Sequence, residues 1–451
     1  MTNYRNILAT ILFFAVTVVV DGQRIYTTNS VLSTGSWYKI AVKQEGIYKI
    51  DVAFLNNLGI NTNGLSSASI RLYGNGGAML DENNAVPRQD DLFENAIEMF
   101  DGGDAVFNNN DYFLFYAAGP NHWLKDSIHQ RFTHQKNLYS DSSYYFISIG
   151  GSGKRINSKT TNAVANIAVN SFNERYFYEN DLINFLNSGK QWLGEAFSTA
   201  NGNSLNRNFN VDFTGLINSQ PLTLSVSLAG RSVAASSNFT VAVNDQAVST
   251  INIPSVSGYF LDAYATTAAQ INNFTASQST LNVAFTFNAG TAGAQGWLDW
   301  FEIHGRKNLA MNNAGQLFFR DWQSVANNNI ASFTISNTTA STEVWEITNT
   351  LEPQKINTSF NNTQTNFNND ASQLREYVAF NSSNFLIPIA LNKISNQNLH
   401  QSTRSDLIII TNSSLLSEAN RLAAFHTQHD GYAVTVATTD QIYNEFSSAT
   451  P

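Results

Sequence analysis

Residues 406–436 read DLIIITNSSLLSEANRLAAFHTQHDGYAVTV, and this stretch constrains the fold more than any other. Residues 407–410 are an unbroken apolar run, the pattern of a strand covered on both faces. Asn412, Ser413 and Ser414 then offer side-chain caps, and Leu415, Leu416, Ala419, Leu422 and Ala423 recur at helical spacing. Gly431 suits a left-handed C-terminal cap, after which residues 432–437 resume an apolar, β-branched strand. Strand, helix and strand in that order make a βαβ unit whose two strands are parallel. Two parallel strands alone leave open edges and one bare face. The expectation is therefore a fragment cut just inside an α/β domain, at residues 401–451.

What precedes this unit reads as β-sheet. WYKIAVKQEGIYKI, residues 37–50, alternates around Glu45 and Gly46, which predicts a hairpin. A short helix follows, with Asp51 to cap it, Gly59 to end it, and Val52, Leu55 and Leu58 on one face. SIRLYG, NAIEMF, DYFLFYA and SYYFISIG give further strands, completing an N-terminal α+β or all-β module over 23–158. Residues 159–205 read as a connector with one strand and a short helical segment over 181–193. NFNVDF, LTLSVSLAG, NFTVAVND, LNVAFTFNAG and WLDWFEIHGRK then alternate as a β-sandwich or jelly roll would, over 206–400. Residues 316–388 are expected to supply its closing sheet, and the Asn-rich NTSFNNTQTNFNND to be a polar loop.

With 451 residues, 43% hydrophobic and 12% aromatic, there is material for two or three cored domains. The formal charge is −9, from 25 Lys and Arg against 34 Asp and Glu, and no basic block interrupts it. Nucleic acid is therefore excluded as an expected partner. Arg5, the apolar run 7–20 and Gly22 before Gln23 form an export signal over 1–22, a run too short to span a bilayer comfortably. The sequence holds no cysteine, so it offers no lipid-modified N-terminus, no disulfide framework and no cysteine nucleophile within these residues.

The stretches that invite chemistry each have a plainer reading. GGSGKR at 150–155 looks like a phosphate loop. The spacing fails, with Ser148 where glycine is needed and Arg155 where Ser or Thr is, and a strand-ending turn is expected; LYGNGG, ending at Gly77, is likewise a glycine turn. DGGDAVFNNNDY at 101–112 offers oxygen donors to calcium without matching an EF-hand, so a surface turn is expected. His426 and His429 would share a helix face for a metal or, with no third ligand in view, would sit against the helix's negative end. His122, His129 and His134 form no ligand spacing. In WLDWFEIHGRK, Leu298, Trp300 and Ile303 are expected in the sandwich core rather than on a sugar-stacking platform. No catalytic, cofactor or metal residue is assigned, and no cofactor is expected.

Taken in order, WYKIAVKQEGIYKI, IRLYGNGG, DYFLFYAAGP, NLYSDSSYYF, WLDWFEIHGRK, NQNLH and RLAAFHTQHDGYAVTVATTDQIYNEFSSATP resemble the N-terminal part of the type IX secretion system sortases. The last piece is similar to the opening of a gingipain-type cysteine peptidase domain, which is caspase-like in fold. The resemblance implies a protein of the outer membrane and cell surface. Such a protein removes C-terminal sorting domains from exported cargo, links the cargo to anionic lipopolysaccharide and meets outer-membrane partners. A cysteine thiolate with a histidine base would form a thioester that an amine resolves. In that family the catalytic histidine and cysteine lie beyond the opening βαβ unit, and neither has a matching position here. Two alternatives stand beside it: the pro-region of a secreted gingipain-like protease, and a non-catalytic carbohydrate-binding β-protein acting through residues 205–310. On the sortase reading, residues 1–451 alone do not cleave sorting-domain peptides; detectable cleavage by the purified chain would refute it.

Overall fold

The computed structural model describes residues 26–451 apart from 186, 188, 189, 200–202, 313, 314 and 383. The export-signal expectation for 1–22 lies outside the described residues. The fold is mainly β and is organised as a stack of sheets, each burying the next, with a two-sheet sandwich inserted midway.

The first sheet runs in the order Ile389–Ile394, Trp37–Val42, Ser143–Ile149, Ile70–Tyr73, Glu94–Asn95. Its inner face meets a three-stranded sheet of Gly46–Asp51, Tyr112–Ala117 and Glu98–Phe100, across a core that includes Ile40, Ile50, Phe113, Phe115 and Ile147. Helix Val52–Asn57 closes this core with Leu55, and the Asp51 side chain caps it at Phe54 N. The expected hairpin at Glu45 and Gly46 does not form. Trp37–Val42 and Gly46–Asp51 lie in different sheets, so the turn between them arches from one layer to the next. Alternation identifies both strands and says nothing about their partners.

The three-stranded sheet is buried on both faces, which accounts for the nearly continuous apolar run FLFYA. Its far side, with Ile47, Leu114 and Tyr116, packs on Trp345, Val378 and Phe380 of a third sheet. That sheet is ordered Asn157–Lys159, Gln354–Ile356, Glu343–Glu346, Glu376–Phe380, Gln316–Arg320. A fourth layer, Ile167–Val169, Ile330–Ser336, Gln364–Asp370 and Ser359–Asn361, covers the other face by packing Phe333 and Phe367 on Tyr377. The stretch expected as an Asn-rich loop is therefore a hairpin. Thr365, Phe367 and Asn369 point inward, and Asn369 Nδ2 donates to Glu346 and Tyr377.

The strands also divide the chain differently from the expected boundaries. Residues 159–205, read as a connector, contribute the edge strand Ile167–Val169 to the fourth layer and the strand Ser171–Glu179 to the inserted sandwich. The segment expected as helical over 181–193 is instead joined by an antiparallel bridge between Ile183 and Leu193. Residues 316–380 form stack layers rather than a closing sheet, and Ile389–Ile394 returns to pair with Trp37–Val42. These pairings are non-local, and periodicity cannot reveal them.

The inserted sandwich faces Ser171–Glu179, Gln295–Asn308, Leu222–Arg231 and Thr266–Phe274 against Asn206–Asp212, Thr280–Asn288, Ser237–Val243 and Gln246–Ile253. Val226, Leu228, Phe239, Phe285 and Phe301 fill its core. Of the residues expected there, Leu298 and Ile303 are buried and Trp300 is not. A β-bulge opposite Ser227 and Leu228 inserts Asp299 and reverses the alternation, turning Trp300 onto the outer face. Replacing Phe301 with alanine should cost about 3–5 kcal/mol, read as a lower urea midpoint.

Candidate functional site

The terminal βαβ unit forms as expected. Leu407–Thr411 pairs in parallel with Val434–Thr438, the Asn412 side chain accepts from Ser414 N, and helix Leu416–His429 ends before Gly431 at φ +71°. Its burial does not match the expectation of a strand covered on both faces. Ile408 and Ile410 are 62% and 61% exposed, and Leu415, Leu422 and Phe425 on the helix are also exposed; of the helix residues only Ala419 is buried.

The part of this segment that is firmly seated was missed in the sequence. Helix Thr439–Phe446 opens with a capping box between Thr438 and Gln441. The TTDQ at 438–441 was its signal. This helix and the turn after it sit on the outer face of the first sheet. Ala449 is buried with Leu32, Trp37, Tyr73, Leu92 and Phe146, and Ser448 Oγ donates to the Tyr144 carbonyl at 2.8 Å. Ser448 and Ala449 both take left-handed backbone angles, φ +49° and +62°, which bring the chain down onto the sheet.

Beside that contact lies a buried polar cluster. Glu445 has no exposed surface. Its carboxylate accepts from Leu399 N at 2.9 Å, His400 N at 2.8 Å, Gln397 Nε2 at 3.0 Å and His400 Nδ1 at 2.5 Å. Residues 396–400 are also tied to the N-terminal segment: Ser30 N donates to Asn398 Oδ1, and Asn396 Nδ2 to the Leu32 carbonyl. Asp91 accepts from Ser30 Oγ, Val31 N and Leu92 N, while burial pushes its carboxyl up. On the same face burial pulls the Lys39 ammonium down, with Asp440 partly opposing.

The other sequence candidates are dispersed. His426 and His429 both meet Asp430 through Nδ1 at 2.7 Å and draw its carboxyl below the usual range. In the loop 101–112, Asp101 accepts from Ser67 Oγ and Gly103 N, Asp104 from Val106 N, and Asp111 from Asn108 N. At 150–155, Lys154 pairs with Glu352 and Arg155 donates to the Ile70 and Ser67 carbonyls. His134 is buried between Glu179 and Glu302, stacked on Phe177. Burial alone would lower its imidazole, but the hydrogen bonds to Glu179 and Glu302 raise it. With Arg175 and Arg320 around Glu376, this cluster welds the hairpin His122–Asp126/Arg131–Gln135 and the sandwich to the stack.

Residues 400–451 match peptidase family C25. Among solved structures, dimeric latent PorU from Porphyromonas gingivalis aligns with a TM-score of 0.79 at 23% identity, over 94% of this chain and 39% of its own. This chain thus has a PorU-like fold and spans about two-fifths of that length. The insecticidal δ-endotoxin Cry8Ea1 from Bacillus thuringiensis (10% identity, TM-score 0.20, 55% of this chain and 43% of its own) overlaps too weakly to carry an argument. The same holds for PNGase F from Flavobacterium meningosepticum (9%, TM-score 0.20, 62% and 88%). Among curated proteins none matched.

Removing the Glu445 carboxylate leaves its buried donors unpaired. Glu445→Ala should therefore loosen the junction by about 3–5 kcal/mol. The measurement is chymotryptic cleavage after Tyr443 or Phe446, which should accelerate at least about tenfold; Leu422→Ser, on the exposed face, should leave it unchanged.

Proposed function

We propose that this chain is the β-rich platform and first α/β unit of a PorU-type, C25 cysteine peptidase that works as a type IX secretion sortase. The single observation carrying this reading is that the C25-matching segment is seated on a PorU-like β stack, through Ala449 and the Glu445 cluster. The stack holds the opening of the catalytic fold in one pose. On this reading the protein is exported to the outer membrane and cell surface, where it meets outer-membrane partners. It removes a C-terminal sorting domain from cargo and links the cargo to anionic lipopolysaccharide.

The chemistry needs a thiolate to attack the peptide carbonyl, backbone amides for the tetrahedral oxyanion, and an amine that reaches the thioester before water does. Residues 1–451 include no cysteine, so this reading assigns the thiolate to none of them. Their own contribution is positional: a 1 Å error in where a nucleophile sits costs about 100-fold in rate.

Support for the other readings is thinner. The carbohydrate platform loses Trp297, which is buried behind Phe185. A gingipain-like secreted protease shares the C25 segment and is separated by whether the native gene encodes its own sorting domain.

The test uses the native-length protein with a cargo peptide spanning the sorting-domain boundary and an amine acceptor. Expected is an amine-linked product whose formation stops on thiol alkylation. Cleavage that survives alkylation, or an intact peptide under conditions where the protein is folded, would overturn the proposal.

A further inference from the structure

We propose that His400, in its cationic form, is the latch that fixes the terminal α/β unit to the β stack, and that loss of its proton loosens that unit. The inference concerns the junction alone and stands whatever reaction the protein performs.

The geometry makes the case. The His400 side chain is 3% exposed and lies between two parts of the molecule. Nδ1 faces Glu445 of helix Thr439–Phe446 at 2.5 Å, and Nε2 faces Asp90 Oδ1 of the loop before the strand Glu94–Asn95 at 3.4 Å. Asp91 adds a third carboxylate from the same loop, and the Phe446 ring covers the imidazole at 4.7 Å. A carboxylate only accepts, so the short contact to Glu445 places a proton on Nδ1. Nε2 is buried without a hydrogen bond, and its ion-pair partner at 3.4 Å is again a carboxylate, that of Asp90. A neutral ring with its proton on Nδ1 would leave a lone pair beside the Asp90 carboxylate; the imidazolium places positive charge there instead.

The charge count points the same way. Glu445, Asp90 and Asp91 bring three negative charges together, and among the described residues no Lys or Arg forms an ion pair with any of them. Lys39 is the cation on the neighbouring stretch of sheet, and its charge partner is Asp440. His400 therefore supplies the compensating charge. Its loss would leave the three carboxylates facing one another across the seam between the α/β unit and the stack.

Burial by itself would lower the imidazole, but the hydrogen bond to Glu445 and the fields of Glu445, Asp90 and Asp91 outweigh it and raise it above its ordinary value. A raised histidine contributes its full stabilisation below about pH 6.5 and loses it as the pH climbs through the raised value. The rest of the seam is narrow. Beyond the bonds of Glu445 and Gln441 to residues 397–400 and the contacts of Ala449 and Ser448, the unit presents Ile408, Ile410, Leu422 and Phe425 outward. A narrow contact of this kind opens before the sheets do.

Hydrogen exchange of the full chain from pH 5.5 to 8.5, corrected for intrinsic rates, tests the latch. Protection of peptides covering 396–401 and 439–450 should fall about tenfold or more as the pH rises. Peptides over 297–303 in the sandwich core should not change. His400→Gln should give low protection at every pH. Should that variant release the unit altogether, the NMR titration of His400 in the unaltered chain decides, with a midpoint above 6.5 expected. Protection that is flat with pH in the unaltered chain, a His400 midpoint at or below 6.5, or a His400→Gln variant that keeps the pH dependence would each overturn the proposal.

Discussion

Each sheet of this chain has two faces, and the arrangement follows from the need to cover them. The three-stranded sheet of Gly46–Asp51, Tyr112–Ala117 and Glu98–Phe100 is apolar on both sides, so it needs a layer on each. The first sheet supplies one and the Trp345 sheet the other. The first sheet in turn carries a second apolar surface around Trp37, Tyr73 and Phe146, and this surface seats the turn at Ala449. The docking of the segment that matches family C25 is thus the last step of a burial series that begins at the centre of the stack.

Polar groups fix the angles that apolar burial leaves loose. Hydrophobic contact is non-directional, so stacked sheets could slide without losing much area. Where the hairpin, the sandwich and the terminal unit join the stack, buried charged groups with directional partners remove that freedom: His134 between Glu179 and Glu302 under the hairpin, Glu376 between Arg175 and Arg320, Arg306 against Asp321, and Glu445 against residues 397–400. Such groups add little net stability compared with apolar replacements, but each is costly to misplace.

The sequence showed the strands and helices well where the pattern is local, as in the βαβ unit, the Asp51 cap and the alternation of 206–308. It failed where the answer lies in a distant partner. The turn at Gly46 looked like a hairpin because both flanks alternate, yet each strand pairs elsewhere. Trp300 was misplaced because one inserted residue, Asp299, reverses the alternation. The stretch 357–370 is rich in asparagine and looked like a loop, but Asn369 is buried with its amide paired to Glu346 and Tyr377. Of the candidate site, the C25-like segment was legible as a whole, whereas Glu445 and His400, 45 residues apart, had no local signal that joins them.

The central claim is that the α/β unit is held in one fixed pose on the β stack. Residues 1–451 contain no cysteine, so in this chain spin labels can be placed cleanly at Arg421→Cys on helix Leu416–His429 and Asn63→Cys after helix Val52–Asn57, both at exposed positions. A single narrow distance distribution by pulsed electron spin resonance at pH 6 is the predicted result. A broad distribution in a chain whose sandwich and stack remain folded would contradict the account.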